Sequence, residues 1–437
     1  RQNMTKRPAK NQNSLILAFI LAIPFLFVSF TVSIDPVMIY IQLGAEVICC
    51  VLYLFLKGHK PMILNNLTWV LISLYIVPWL FSISVGYLHN YIVGNSASFA
   101  DITPYGRMAN IFTLSFFLFL LSLEHRENGV ILKRHVINLY YIGLCILLLA
   151  AFWQLADWYL NFPIPFPFET RSHLHGAGDL VLSFSNRLTA YAAEPSYLAP
   201  LLTDGIILST VVFHKKLPRI VSIGIFLLVI FFTYSPSAYF SLLAVALCFF
   251  IIKFKRYAVF ALGLLFVLIM VGATFLSEIQ AVQYFLERIE GYSSSGRFQG
   301  VIWPIEYIFR EGDVLSILFG YGMKSMDALR ETGLNGFEFG TSNTVFSDIL
   351  FECGLVGLVC YVSLFTLLLW RSLRIAKNDS TALLLWTNFF VGSFYVGEFG
   401  TLRFIGMIFL IYMFSAPSSD RFQSQVAYIP DTSSKSF

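Results

Sequence analysis

Nine of the 29 cations in this chain stand apart from the rest: Arg107, Arg171, Arg187, Arg288, Arg297, Arg310, Arg330, Arg403 and Lys324. Eight of these nine are arginine, whereas the other twenty comprise nine arginines and eleven lysines. A guanidinium fork grips phosphate or carboxylate through two parallel hydrogen bonds, which a lysine point charge does not do. The residue choice therefore points to an anionic substrate, with Arg187, Arg288 and Arg297 as the leading phosphate ligands and Arg171 behind them. Salt bridges to loop acids such as Asp179, Glu290, Glu306 and Glu338 explain any single arginine equally well, and all eight together poorly.

Candidate acid–base groups are few. The string Asn-Arg-Leu-Thr-Ala-Tyr-Ala-Ala-Glu-Pro-Ser-Tyr at 186–197 places Glu194 immediately before Pro195. Proline suits the first helical turn, where a missing N–H costs nothing. Glu194 would then stand at the positive end of a helix dipole. A general base and a simple helix cap are the competing readings, and Arg187 would pair with Glu194 or face a phosphate. Four acids lie within apolar stretches: Glu46, Asp204, Asp348 and Glu352. Such acids are functional candidates by default, although helix-to-helix hydrogen bonding is the better reading for Glu46 and Asp204. His173 and His175 read as surface polar residues rather than metal ligands. The six cysteines all fall in apolar stretches, so neither a disulfide framework nor a metal cluster is expected. No paired-aspartate metal motif is present, and metal-independent chemistry with no cofactor is the expectation.

The elements that position these groups follow from composition. Of 437 residues, 57% are hydrophobic and 12% charged, about half the charge of a soluble domain. Apolar blocks run at roughly 15–34, 37–56, 67–88, 104–123, 136–158, 195–213, 219–234, 237–252, 257–275, 343–370, 382–397 and 399–416. Most approach the ~20 residues a membrane-crossing helix needs. An all-α polytopic membrane protein with about twelve transmembrane helices is predicted, as a single domain over 1–437. The first block is too long, and lacks the cleavage site, for a signal peptide. Lysine-rich connections share one parity, which marks the cytoplasmic side and puts both termini there. The nine segregated cations then fall on the outer side. Two long outer loops, 159–194 and 276–342, exceed what a connection requires and are where function is expected.

The second loop carries Gly-Tyr-Ser-Ser-Ser-Gly-Arg-Phe at 291–298, Trp303, and Leu-Phe-Gly-Tyr-Gly-Met at 318–323. It ends in Thr-Ser-Asn-Thr-Val-Phe-Ser-Asp-Ile-Leu-Phe-Glu-Cys-Gly-Leu-Val-Gly at 341–357. This order resembles the signature of the O-antigen ligase/polymerase superfamily, which includes Wzy-type O-antigen polymerases: Ser-Gly-Arg, a tryptophan, Gly-x-Gly, His-Asn, then Glu-x-Gly-x-x-Gly on the next helix. The detailed likeness covers residues 288–357. Glu-Pro-Ser at 194–196 also looks like a feature of such polymerases. Ser342-Asn343 stands where the family often has His-Asn, and no histidine follows His214. In ligases of the superfamily a histidine in this loop is implicated in catalysis, so its absence favours the polymerase branch.

The resemblance implies a membrane-embedded glycosyltransferase of the GT-C type in a bacterial inner membrane. It would join glycan repeat units carried on undecaprenyl pyrophosphate, with a chain-length regulator as a further partner and no nucleic acid. Arginines would stabilise the pyrophosphate leaving group, Glu194 would take the acceptor proton, and Tyr197, Asn343 and Glu352 would contact substrate. An O-antigen ligase acting on lipid A-core shares the signature. A lipid-linked glycan flippase or secondary transporter also accommodates twelve helices, though transporters keep charge near the midplane between repeats.

Overall fold

A computed structural model describes residues 8–33, 35–58, 66–88, 105–168, 187–254, 257, 263, 296–326, 344–397 and 399–416. Among these the regular elements are helices, beginning with α1 (Pro8–Ala22), which continues as a 3-10 turn over Ile23–Val32. There follow α2 (Pro36–Lys57), α3 (Asn66–Phe81, extended by a π-turn over Ser82–Tyr87), α4 (Tyr105–Leu160) and α5 (Pro195–Val212). Next come α6 (Lys216–Phe232), α7 (Pro236–Lys253), α8 (Gly296–Glu311) and α9 (Val314–Phe319). The last three are α10 (Val345–Ile375), α11 (Thr381–Gly392) and α12 (Leu402–Ser415).

Local chemistry sets the boundaries. Asp35 caps α2 by accepting from the Val37 N–H at 2.9 Å, with Pro36 in the first turn. Thr344 and Thr401 cap α10 and α12 by accepting from the Ser347 and Phe404 N–H groups. Among the described residues, seven helices are long and apolar enough to cross a membrane: α1 with its 3-10 extension, α2, α3, α4, α5, α7 and α10. α11 and α12 are apolar but shorter. Many large apolar side chains face outward, among them Phe55 at 84% exposure and Leu149 at 69%. Water does not tolerate so much exposed hydrocarbon, and lipid does.

The sequence predicts two spans, 104–123 and 136–158, joined by a basic loop. The structure has two helical segments there, within Tyr105–Leu160, that meet at a kink at Asn128 (φ −135°, ψ 38°), so the connection is a bend and not an extended loop. The two halves fold back on each other: Phe25 packs on Phe117 of the first half, while Gly143 of the second lies against the Leu26 carbonyl. The turn is held from inside, because the Asn128 amide donates to the Glu124 carboxylate at 2.6 Å. The predicted block 257–275 lies almost wholly outside the described residues.

Helix ends sort into two groups. Lys57 pairs with Glu127 at 3.2 Å beside Glu124, and Arg371 donates to Ser415; these belong to the lysine-rich parity. At the opposite end, Ala193 N–H donates to the Val32 carbonyl, Leu188 N–H to Phe232 and Val345 N–H to Ser393. Between the two ends, aromatic packing around Phe404, Phe365, Phe389, Tyr361 and Tyr75 fills the interior.

Candidate functional site

Three separated strings of the motif region come together. The Gly320-Tyr321-Gly322 turn lies directly on the Glu352-Cys353-Gly354 segment of α10. A Cβ on Gly320 would stand 2.4 Å from the Glu352 carbonyl, and one on Gly354 would stand 2.4 Å from the Leu318 backbone. Both glycines also hold positive φ, +79° and +66°, a region where a side chain is strained. Only glycine at both places lets the two backbones touch. Gly354 also breaks α10 locally, and the Tyr321 N–H donates to the Phe351 carbonyl at 2.9 Å.

Trp303 joins this body through rings. It stacks on Tyr307 at 5.8 Å, Tyr307 meets Tyr321 at 5.6 Å, and Tyr321 stacks on Phe351 at 4.9 Å. With Ile308 and Met326 they form a small second core, separate from the main bundle core. Burial pushes both phenols up from their ordinary range, so Tyr307 and Tyr321 are neutral hydrogen-bonding groups rather than bases.

Glu352 sits beneath the joint with 1% of its side chain exposed. It is held by Arg107 of α4 at 2.5 Å, and its own carbonyl accepts from the Ser82 hydroxyl at 2.6 Å. Its other carboxylate oxygen, Oε2, is buried with no hydrogen-bond partner. The Lys324 backbone amide and the buried Asp348 carboxylate, one turn earlier on α10, are close enough to act on it. The Arg107 guanidinium also lies 5.5 Å over the Phe399 ring. A residue this enclosed orders the backbone around it.

The second cluster surrounds Glu194. The segment Arg187–Ala192 is buried although it is not helical. Its backbone is satisfied mainly by Gln154 of α4, whose carbonyl oxygen accepts from the N–H groups of Thr189 and Ala190 at 3.0 and 2.7 Å. Ala192 pairs with Ser33, and the Tyr191 hydroxyl meets that of Ser29 at 2.6 Å. Thus Glu194 reaches the start of α5 on a fixed support. It occupies the N-cap position with extended backbone, yet its side chain makes no capping bond and instead accepts from the Ser196 hydroxyl at 3.2 Å. Tyr197 donates its N–H to the Glu194 carbonyl and is half-buried. Arg187 is buried close to Tyr239 of α7.

Two of the segregated arginines turn inward and pair with acids of the helices. Arg107 takes Glu352, and Arg403 takes Asp204 at 3.1 Å. Both partners are acids buried in the bundle, where an isolated charge is costly and a paired one is tolerated. Asp204 does serve helix-to-helix bonding, receiving Tyr140 and Asn388 as well. Glu46 does not: it bonds Gln42 one turn earlier on its own helix. Arg310 pairs with its exposed neighbour Glu311. Arg297 is the second residue of α8, but its side chain, with Arg171, Arg288 and Asn343 entirely, lies outside the described residues. Arg107 was missed as a site residue because its partner is 245 positions away; the one available signal was an arginine opening an apolar block.

Among the described residues no group of three His, Cys, Asp or Glu side chains is placed to hold a metal ion. All six cysteines are free thiols. No protein-family model matches this chain, and no curated protein matches it.

Proposed function

We propose that this chain is a membrane glycosyltransferase that polymerises glycan repeat units carried on undecaprenyl pyrophosphate, in the manner of Wzy-type O-antigen polymerases. In this reading it spans a bacterial inner membrane about twelve times with both termini cytoplasmic, and it has a GT-C-type architecture. The observation that carries the reading is the assembly of Trp303, Gly320-Tyr321-Gly322 and Glu352-Cys353-Gly354 into one body. A chance run of motif-like strings has no reason to converge on mutual backbone contact.

The chemistry asks for little beyond preorganised charge. Pyrophosphate leaves readily once its developing charge is met by fixed donors, a role assigned to Arg288 and Arg297 with help from Arg187. Arg297 opens α8, whose N-terminal amides add positive potential at the same place. The glycan chain passes from its carrier to a hydroxyl of the incoming unit, and Glu194 takes that hydroxyl's proton. Holding both lipid-linked partners on one outer face supplies an entropic part of the rate.

The direct test incubates the purified full chain with lipid-linked repeat units and resolves the products on a gel. A ladder of repeat lengths supports the polymerase. Transfer of finished polymer to lipid A-core without a ladder supports the ligase instead. Arg297→Lys keeps the charge but loses the fork, and should remove most of the ladder while expression stays normal.

A further inference from the structure

Arg107 lies outside the motifs, yet it is the residue that compensates the buried Glu352 carboxylate. We propose that Arg107 is a positioning residue: by holding Glu352 it fixes the joint on which the outer helices α8 and α9 dock, and so sets where the N-terminus of α8 stands. The activity part of this inference rests on the polymerase reading; the docking part does not.

The argument runs through contacts already described. Arg107 holds the side chain of the same residue whose backbone carries the Gly320 turn. Gly354, two residues on, carries Leu318 at the end of α9. α9 is tied to α8 by only Gly312 and Asp313, and Asp313 caps α9 by accepting from the Ser316 N–H at 2.8 Å. Ile308 of α8 shares a core with Tyr321 and Phe351. A shift at Glu352 therefore passes through short, stiff pieces to α8, with no slack loop to absorb it. On its own side Arg107 is well anchored, since Asn110 one turn later donates to the Gly400 carbonyl at 2.6 Å and Phe399 lies under the guanidinium. Glu352 has one further oxygen with no hydrogen-bond partner, so removing Arg107 leaves the buried carboxylate without its ion pair and with every reason to reorganise.

The experiment compares Arg107→Gln, Glu352→Gln and the double variant in the purified full chain. Two readouts are used: amide hydrogen exchange without substrate, and polymerisation of lipid-linked repeat units. In Arg107→Gln, exchange over 314–326, including the Tyr321 amide, should rise about tenfold or more, while α5 and α12 keep their protection. The KM for the lipid-linked donor should rise roughly tenfold, with a smaller change in kcat. Two carboxamides can hydrogen-bond each other, so the double variant should recover both readouts to within about threefold of wild type. A double variant as impaired in KM as Arg107→Gln, with exchange restored, would mean that Arg107 acts on substrate directly and would overturn the proposal. Unchanged exchange in Arg107→Gln would overturn it too. If Arg107→Gln does not fold, Arg107→Lys replaces it, with intermediate exchange expected and wild-type exchange counting against the proposal. A wild-type protein that forms no ladder removes the polymerase reading, and the exchange result still decides the docking role.

Discussion

Arg403 Nη2 lies 3.1 Å from Asp204 Oδ2 in the interior, with 3% and 0% of their side chains exposed. Four helices meet there, because Tyr140 of α4 and Asn388 of α11 donate to the same carboxylate at 2.7 Å each. Asn388 also reaches the Pro200 carbonyl at 2.8 Å. Breaking such a pair from one side leaves a buried charge, at a cost of about 3–5 kcal/mol, whereas replacing both partners is far milder. Arg403→Met should therefore lower the unfolding temperature in detergent sharply. Arg403→Met combined with Asp204→Asn should recover much of the loss. Equal damage in the single and double variants would show that the pair is not what holds the crossing.

The topology is checked with single cysteines at exposed helix ends. Asn161, past the end of α4, and Lys216, opening α6, are both exposed. In intact cells an impermeant maleimide should label Asn161→Cys and leave Lys216→Cys unlabelled until the membrane is opened. The reverse pattern would put the motif body on the cytoplasmic face and remove the proposed chemistry with it.

Glu194→Gln separates proton transfer from shape. Glutamine preserves the side chain's shape and can still accept from the Ser196 hydroxyl, so the carboxylate's charge is what the variant removes. As the base, its loss should slow turnover on the order of 10²–10⁴-fold while donor lipid still binds. Wild-type turnover in this variant would end the base assignment, and Asp348 or Glu338 would be tested next.

A methyl group is enough to test the joint between the outer turn and α10. Gly354→Ala places a Cβ 2.4 Å from the Leu318 backbone at a φ of +66°, so it should abolish polymerisation or expose 314–326 to exchange. Gly224→Ala on α6 meets nothing within 4 Å and should be neutral, or stabilising by about 0.5–1 kcal/mol. Unchanged exchange over 314–326 in Gly354→Ala would mean that the joint is not closed in solution.

Much of the architecture was legible because apolar blocks of membrane length leave the chain few alternatives. The bend at Asn128 was not legible: Glu124 to Arg134 looks like a basic loop, yet it is a kink between two helical segments, with Asn128 satisfied by Glu124. Pairing over long sequence distances was equally hidden. Nothing periodic connects Arg107 with Glu352, or Arg403 with an acid 199 residues away. The glycine strings were visible one at a time, while their mutual contact depends on two positive φ angles that only the fold displays. Of the leading arginines, only Arg187 has a described side chain, and it is buried.

Among the described residues, the backbone leading into Glu194 is anchored from three helices: the Phe232 carbonyl of α6 takes Leu188, Gln154 of α4 takes Thr189 and Ala190, and the Val32 carbonyl after α1 takes Ala193. The backbone entering Glu194 is thus tied to three helices at once, so a displacement of any one of them reaches the carboxylate.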